Sequence, residues 1–233
     1  MADYDLYYWP LPFRGQFLRA ILAVAGKSWQ EHDSEAVGNL MQQAPADQPA
    51  PFMGPPLLVD RSSGFALSQM PAIALYLGET LNLVEDDANA RAMTAKIVND
   101  ANDVIDELTL DGGREMWTPQ KWANFQPRLS RWMHIWEASA RRYDVQVGQG
   151  YFLGANKAGV ADIVTATLWS TMGNHFPAIA ALLDETAPRT AGLTRRVQAL
   201  PGLADLTKRS ASQYGEAYCG GEIEKSLRSV LDP

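Results

Sequence analysis

Cysteine occurs once in this chain of 233 residues, at Cys219. A lone cysteine forms no internal disulfide, which fits a reducing compartment such as the cytoplasm. It also rules out a CxxC motif and with it thioredoxin-type exchange. Histidine is nearly as scarce: His32, His134 and His175 lie far apart and show no metal-ligand spacing, so no metal is expected. Basic residues are in the minority, with 20 Lys and Arg against 27 Asp and Glu and a net charge of −7. That balance argues against a nucleic-acid partner. The basic pairs Arg141-Arg142 and Arg195-Arg196 read as solvated helix faces. No apolar run approaches the roughly 20 residues of a membrane span, so no membrane partner is expected. Met1 to Asp5 lacks the charged and apolar regions of a secretory signal. P-loop and Rossmann glycine fingerprints are missing, as are internal repeats and low-complexity segments.

What is present has an ordinary globular balance, 46% hydrophobic and 20% charged, enough for one large domain or two small ones. Tyr4 to Trp9 is dense in aromatics and reads as a strand stopped by Pro10-Leu11-Pro12. Gln16 to Ala25 reads as a helix with Phe17, Ile21 and Val24 on one face and Gly26 at its end. Ser28 to His32 suits a second strand. Asp33 to Ala50 is polar and carries proline, and is expected to be a loop with one helical turn. Leu57 to Val59 and Phe65 to Leu67 read as paired strands around Ser62-Ser63-Gly64, and a helix follows from Pro71. Beyond the acidic stretch Glu85 to Asn89, helical periodicity takes over, with stripes in 90–110, 128–143, 160–172, 178–183 and 192–200. The expected architecture is α+β: a βαβ-ββα domain over 1–82, a linker over 83–90, and an all-helical domain over 91–233.

Gly54-Pro55-Pro56-Leu57-Leu58, followed by Ser68-Gln69-Met70-Pro71-Ala72-Ile73, is the most informative stretch. Proline cannot donate to a sheet ladder, so a double proline marks the mouth of a strand. X-Pro bonds are also where cis peptides occur. Pro71 suits the first position of a helix, whose free N–H groups bind carboxylates. A rigid corner beside a helix N-terminus outlines a site for a small anionic ligand.

These segments, in this order, resemble the cytosolic glutathione transferases of the bacterial, tyrosine-dependent type. Carrying the resemblance are Tyr7-Tyr8-Trp9-Pro10 with Arg14 to Arg19, Pro55-Pro56-Leu57-Leu58, Gln69 to Leu77, Val98-Asn99-Asp100, and Phe152-Leu153-Gly154 with Gly159 to Ile163. The resemblance implies a thioredoxin-like N-terminal domain, a helical C-terminal domain, glutathione as substrate and a small electrophile as second substrate. It also implies a cytoplasmic homodimer engaged in detoxification.

Residue by residue, the resemblance implies that the Tyr8 hydroxyl hydrogen-bonds the glutathione sulfur. A free thiol of pKa about 8.5 is only a few per cent ionised at neutral pH, and a donor favours the thiolate. The alternative is an ordinary strand aromatic. Strand alternation sends Tyr7 to the opposite face, where it is expected to be core. Arg14 is implied as a supporting positive charge, the alternative being a surface arginine. Pro56 is implied as the cis residue. Pro55 offers glutathione a carbonyl but no N–H. Gln69 and the backbone N–H of Met70 are implied to hold the γ-glutamyl carboxylate, without the hydroxyl the family usually places at Met70. Asp100 is implied to reach the γ-glutamyl ammonium of the neighbouring subunit, with Asp103 and Asp106 as competing candidates. No Lys, Arg or Trp stands between Glu31 and Phe52 for the glycyl carboxylate, which leaves neutral candidates: Asn39, Gln42, Gln43 and Gln48. Trp9, Leu11, Phe13 and Trp117 are candidates for the apolar second-substrate pocket, with Met116 and Tyr214 behind them. Asp162 with Gly159 reads as a capping box that serves folding. Within the enzyme class, peroxide reduction or isomerisation by the same thiol stays open. Outside it, a non-catalytic binding protein that kept the fold is the competing possibility, since fold does not fix function.

Overall fold

The computed structural model describes residues 1–231. Its first part runs β1 (Tyr4–Tyr7), α1 (Phe13–Val24), β2 (Trp29–His32), α2 (Ser34–Gln42), β3 (Leu57–Asp60), β4 (Ala66–Ser68) and α3 (Met70–Thr80). The four strands form one sheet in the order β2-β1-β3-β4. β1 is parallel to β2 and antiparallel to β3, with Tyr4 opposite both Trp29 and Asp60. β3 and β4 close as an antiparallel hairpin. The parallel pair requires a crossover, and α1 supplies it.

Everything after that is helical: α4 (Ala88–Leu108), the short turn α5 (Leu110–Gly113), α6 (Pro119–Arg142), α7 (Val160–His175), α8 (Pro177–Thr186), α9 (Pro188–Gln198), α10 (Pro201–Tyr214) and α11 (Gly221–Leu231). α7 is the hub. Every residue from Val160 to Trp169 is buried, so it is apolar all round rather than striped, as a helix surrounded by others must be. It packs against α4, α8 and α9, and also against α1 of the sheet half. Trp136 of α6 and Trp169 of α7 meet edge to face at 5.4 Å, and the Trp136 indole N–H donates to Thr165 at 2.9 Å. No helix among the described residues is long and apolar enough to cross a membrane.

Asp162 starts α7 as its spacing indicates. Its carboxylate accepts from the backbone N–H of Gly159 at 3.0 Å and of Phe152 at 2.8 Å. Burial pushes its pKa up to about 7, against those same hydrogen bonds. The carboxyl ties the 152–154 turn to the helix start.

The structure departs from the sequence expectations in several places. Residues 33–50 are not a loop. Asp33 caps α2 by accepting from Ala36 N–H at 2.9 Å, Val37 is fully buried, and a 3-10 turn follows at Pro45–Asp47. The third long helix begins at Pro119 rather than near 128, because Thr118 caps it and Pro127 is carried inside it. β1 ends at Tyr7, leaving Trp9 and Tyr8 outside the strand. Tyr7 is half-exposed rather than core: Tyr4, Leu6 and Tyr8 take the buried side, and Tyr7 stacks on His32 at 4.0 Å on the other. Arg196 is not a solvated charge, since it donates to the carbonyls of Gln146, Val147 and Gly150 and holds that loop.

Candidate functional site

The loop between β1 and α1 carries Tyr8, and its shape is set by Arg19. That arginine is buried, forks onto Glu31 at 2.7 and 3.1 Å, and donates to the Leu11 carbonyl at 2.9 Å. A bidentate pair of this kind fixes orientation as well as charge. Its guanidinium also lies 5.7 Å from the Tyr8 ring centre. Gly15 lets the ring settle against α1, because any Cβ there would overlap it. Tyr8 is 3% exposed. Its hydroxyl oxygen accepts from the Arg14 backbone N–H at 2.9 Å, which leaves the hydroxyl proton free to donate. Burial pushes the phenol up to about 12, against the pull of the Arg14 charge and N–H. The group is thus a neutral phenol throughout the physiological range.

The Arg14 side chain turns away from that hydroxyl toward α4. It pairs with Asp106 at 3.0 Å, is 3.5 Å from Asn102 Oδ1, and lies over the Phe13 ring. It therefore joins the two halves of the chain. Asp100, a turn and a half earlier on α4, pairs with Lys96 of its own helix. Between them is Asp103, exposed, whose carboxyl is raised by partial burial and by the charges of Asp100, Glu107 and Asp106.

On the other side of β1, the Pro55–Pro56 peptide is cis, as expected. Pro56 is buried beneath the start of β3 and Pro55 is half-exposed. β4 then hands the chain to α3 through Gln69, whose backbone sits at φ 73, ψ 119 with no side-chain cap on the helix. For a non-glycine residue that conformation costs on the order of 1–3 kcal/mol and persists only where the surroundings impose it. The Gln69 side chain is exposed, while the Met70 side chain is buried at 1% exposure. Of the two, the Gln69 amide is the group that reaches solvent. Of the glutamines proposed for the far end, Gln42 and Gln43 are exposed at the end of α2. Gln48 is committed, donating to Leu40 O and accepting from Phe52 N–H.

The apolar candidates meet a part of the chain that their sequence positions did not announce. Residues 215–220 lead into α11 and lie against the β1–α1 loop. The Phe13 N–H donates to the Tyr218 carbonyl at 3.3 Å. The fully buried Tyr218 ring packs edge-on against Phe13 at 5.4 Å and Phe176 at 5.2 Å. Gly220 sits against Leu11. One carboxylate secures this strap: Glu224 Oε2 accepts from the backbone N–H groups of Tyr218, Cys219 and Gly220 at 2.9, 3.0 and 2.6 Å, while Oε1 pairs with Arg228. Burial opposes the charge, but those donors and Arg228 outweigh it and hold Glu224 below its ordinary pKa. Cys219, inside the strap, is pushed up to about 12 by burial and by the Glu224 charge.

Beneath the strap, Phe13 is buried and Leu11 and Trp9 are half-buried. Trp117 is core instead: 4% exposed, its indole N–H donating to Leu108 O at 2.9 Å and its ring against Trp122 and Phe125. Tyr214 faces a different opening, over Arg19 and beside Trp29. None of the twelve residues singled out for catalysis or binding lines any of the five principal cavities. Tyr8, Arg14, Leu11 and Phe13 are together around one loop, whereas Trp117 lies apart from them. Missed altogether were Arg19, Glu224 and Tyr218. Gly220-Gly221 ahead of an acidic helix start was the available signal for Glu224. Nothing local marked the other two.

Residues 93–230 match the family described as glutathione S-transferase, C-terminal domain. No curated protein matches the chain. Solved structures of similar fold include a monomeric glutathione S-transferase of the human hookworm Necator americanus, at 18% identity and TM-score 0.71. They also include a Nu-class enzyme of Haemonchus contortus, at 19% and 0.69, and the glutathione S-transferase of Ascaris lumbricoides, at 19% and 0.71. Each comparison covers 89% of this chain and 97% of the other. At such identities the likeness establishes the fold: a thioredoxin-like N-terminal part followed by a helical C-terminal part.

Proposed function

Since the chain belongs to the glutathione S-transferase C-terminal domain family, we propose that it is a glutathione transferase that activates the tripeptide's thiol for attack on a small electrophile. The thiol gives its proton to solvent, and the sulfur lone pair forms the new S–C bond. The electrons displaced leave with a departing group or pass into a conjugated acceptor. Tyr8 donates its hydroxyl proton in a hydrogen bond to the sulfur and stays neutral. Arg14 adds positive charge at the loop. Gln69 and the Met70 N–H receive the γ-glutamyl carboxylate at the start of α3, with Pro55 and Pro56 framing the cysteinyl backbone and Gln42 nearest the glycyl end. Leu11, Phe13 and Trp9 supply apolar surface for the second substrate. The domain division at 82 and 91 goes with this function, as does a homodimer in which Asp100 serves the neighbouring subunit. So does a cytoplasmic setting, where a free thiol stays reduced.

The observation that supports the proposal most is Gln69: a solvent-exposed side chain on an imposed positive-φ backbone, opening a helix that has no cap of its own. Free N–H groups at such an end attract carboxylates. The test is glutathione binding by calorimetry and conjugation of a panel of electrophiles, in wild type and Tyr8→Phe. Binding in both, with conjugation lowered about ten- to hundredfold in the variant, supports the proposal; a hydrogen bond to a charged group is worth roughly 1.5–3 kcal/mol. A non-catalytic binding protein is favoured by the depth of Tyr8 and by the Arg14–Asp106 pair. It predicts binding without turnover, and equal behaviour of the two proteins. Turnover of peroxides or isomerisable substrates instead of conjugation would assign the same thiol to another reaction.

A further inference from the structure

Behind the β1–α1 loop, α1, α7 and α10 line a cavity of about 150 Å³. Buried Thr167, Leu203 and Leu206 form its floor, and exposed Thr207, Ala211 and Glu216 its rim. A volume of this kind takes a ligand about the size of benzene. Tyr8 is not part of the lining.

The wall that α7 supplies breaks the pattern of that helix. Its residues toward the cavity are Thr167, Ser170, Thr171, Asn174 and His175, the spacing of a single helical face. A face set against two other helices is ordinarily apolar. This one carries hydroxyls, an amide and an imidazole. Thr167 is answered inside the helix, by the Ile163 carbonyl at 2.7 Å. The hydroxyls of Ser170 and Thr171 and the Asn174 amide form no hydrogen bond among the described residues. His175 Nδ1 lies 2.7 Å from the Thr171 carbonyl. A carbonyl only accepts, so Nδ1 carries the proton and the neutral ring keeps Nε2 as an acceptor.

The formal charge of the lining has one sign. It contains no lysine or arginine and a single carboxylate, Glu216. That carboxylate forms no ion pair among the described residues. Only the Glu216 carbonyl is engaged, by Arg228, and Arg228 is balanced by Glu224. The ends of α7 and α10 also reach the cavity, at His175 and Gly215, and helix C-termini attract cations. The end of α9 and the start of α10, at Gln198 and Leu203, offset each other. The start of α1 would repel a cation, but its donors are already answered. The N–H groups of Phe13, Arg14 and Gln16 donate to the Tyr218 carbonyl, the Tyr8 hydroxyl and the Pro12 carbonyl.

We propose that this cavity binds a small organic cation, a primary ammonium on a short chain. The ammonium would lie at the Glu216 carboxylate and within reach of the acceptors of the α7 stripe. The chain would lie along Ala20, Leu203 and Leu206. The site does not depend on the function proposed for the Tyr8 loop.

The probe is 4-aminobutan-1-ol, titrated into the full chain by ligand-observed NMR, with butane-1,4-diol as its uncharged counterpart. Melting temperature is recorded for each protein without ligand. Wild type is expected to bind one equivalent of the amine, with a Kd on the order of 1 mM or tighter. The diol should bind roughly tenfold more weakly, since it offers no charged donor. Glu216→Gln, a change at an exposed position, should weaken the amine about two- to fivefold and leave the diol unaffected. Thr171→Val removes a hydroxyl that the fold does not use. It should weaken the amine about threefold at an unchanged melting temperature, which separates a ligand contact from a packing defect. Ala211→Phe at the rim should abolish binding of both probes while the chain melts as wild type does. Equal affinity for amine and diol, or undiminished amine affinity in Glu216→Gln, overturns the proposal. Binding that survives Ala211→Phe, or no saturable binding in wild type, overturns it as well.

Discussion

The two ends of the proposed glutathione site are built in opposite ways. At the carboxylate end, Gln69 is exposed, its backbone is held at positive φ, and the helix it opens has no side-chain cap. At the sulfur end, Tyr8 is 3% exposed, and the loop that carries it is tied through Phe13 to the Tyr218 carbonyl of a strap. One end stands ready for a ligand. The other is closed by the chain itself. The contrast separates recognition from chemistry: Gln69 at the anion corner is open to solvent, whereas the Tyr8 hydroxyl lies in the interior. It also gives a physical role to Glu224, whose single carboxylate holds three successive backbone N–H groups of that strap.

The largest effect is expected from unlatching the closed end. Glu224→Ala leaves those N–H groups without their acceptor and Arg228 without its carboxylate, though Arg228 still donates to the Glu216 carbonyl, at a cost of about 3 kcal/mol. Hydrogen exchange should accelerate at Phe13, Tyr218 and Gly220 while α3 stays protected. Uniform acceleration across the chain would mean that the strap is not a separate unit. Alkaline pH should act next. The Tyr8 phenol ionises near 10 in the unfolded chain and at about 12 in the folded one. The folded chain therefore keeps a proton that the unfolded chain loses, and stability falls by an amount on the order of 2–3 kcal/mol as pH rises through that window. Tyr8→Phe should flatten this part of the denaturation profile. A profile that keeps its slope would show that another phenol dominates it. At the open end the expected effect is smallest and of mixed sign. Gln69→Gly relieves the positive-φ backbone and should raise stability by about 1 kcal/mol. It also removes the amide and should weaken glutathione binding about fivefold. Calorimetry and thermal melting read the two changes independently, and a loss in both would place Gln69 in packing rather than in binding.

Much of the open end was legible in the sequence because its devices are local. Proline chemistry at 55, 56 and 71 and the β3–β4 hairpin, like the Gly159–Asp162 cap of α7 in the other half, act within a few residues and are found where their spacing puts them. α2 escaped notice because its stripe is short and set among polar residues; its evidence is one cap, Asp33, and one buried side chain, Val37. The closed end was illegible for a different reason. Tyr218 meets Phe13 from 205 positions away in sequence, and Arg19 acts through Glu31, 12 positions on; Glu224 alone acts locally, on N–H groups four to six residues before it. Alternation along β1 correctly set Tyr7 and Tyr8 on opposite faces. It could not say which face the helices cover, since both residues are equally aromatic, and the sheet buried Tyr8.

The most direct measurement is the ionisation of the bound thiol. Ultraviolet difference spectra of the glutathione complex, recorded against pH, give the thiol pKa on the protein. With Tyr8 donating to sulfur, the wild-type complex should titrate one to two units below the free value of about 8.5, and Tyr8→Phe should return it to that value. A complex whose thiol ionises at the free value in wild type, or whose shift survives in Tyr8→Phe, would contradict the role assigned to Tyr8.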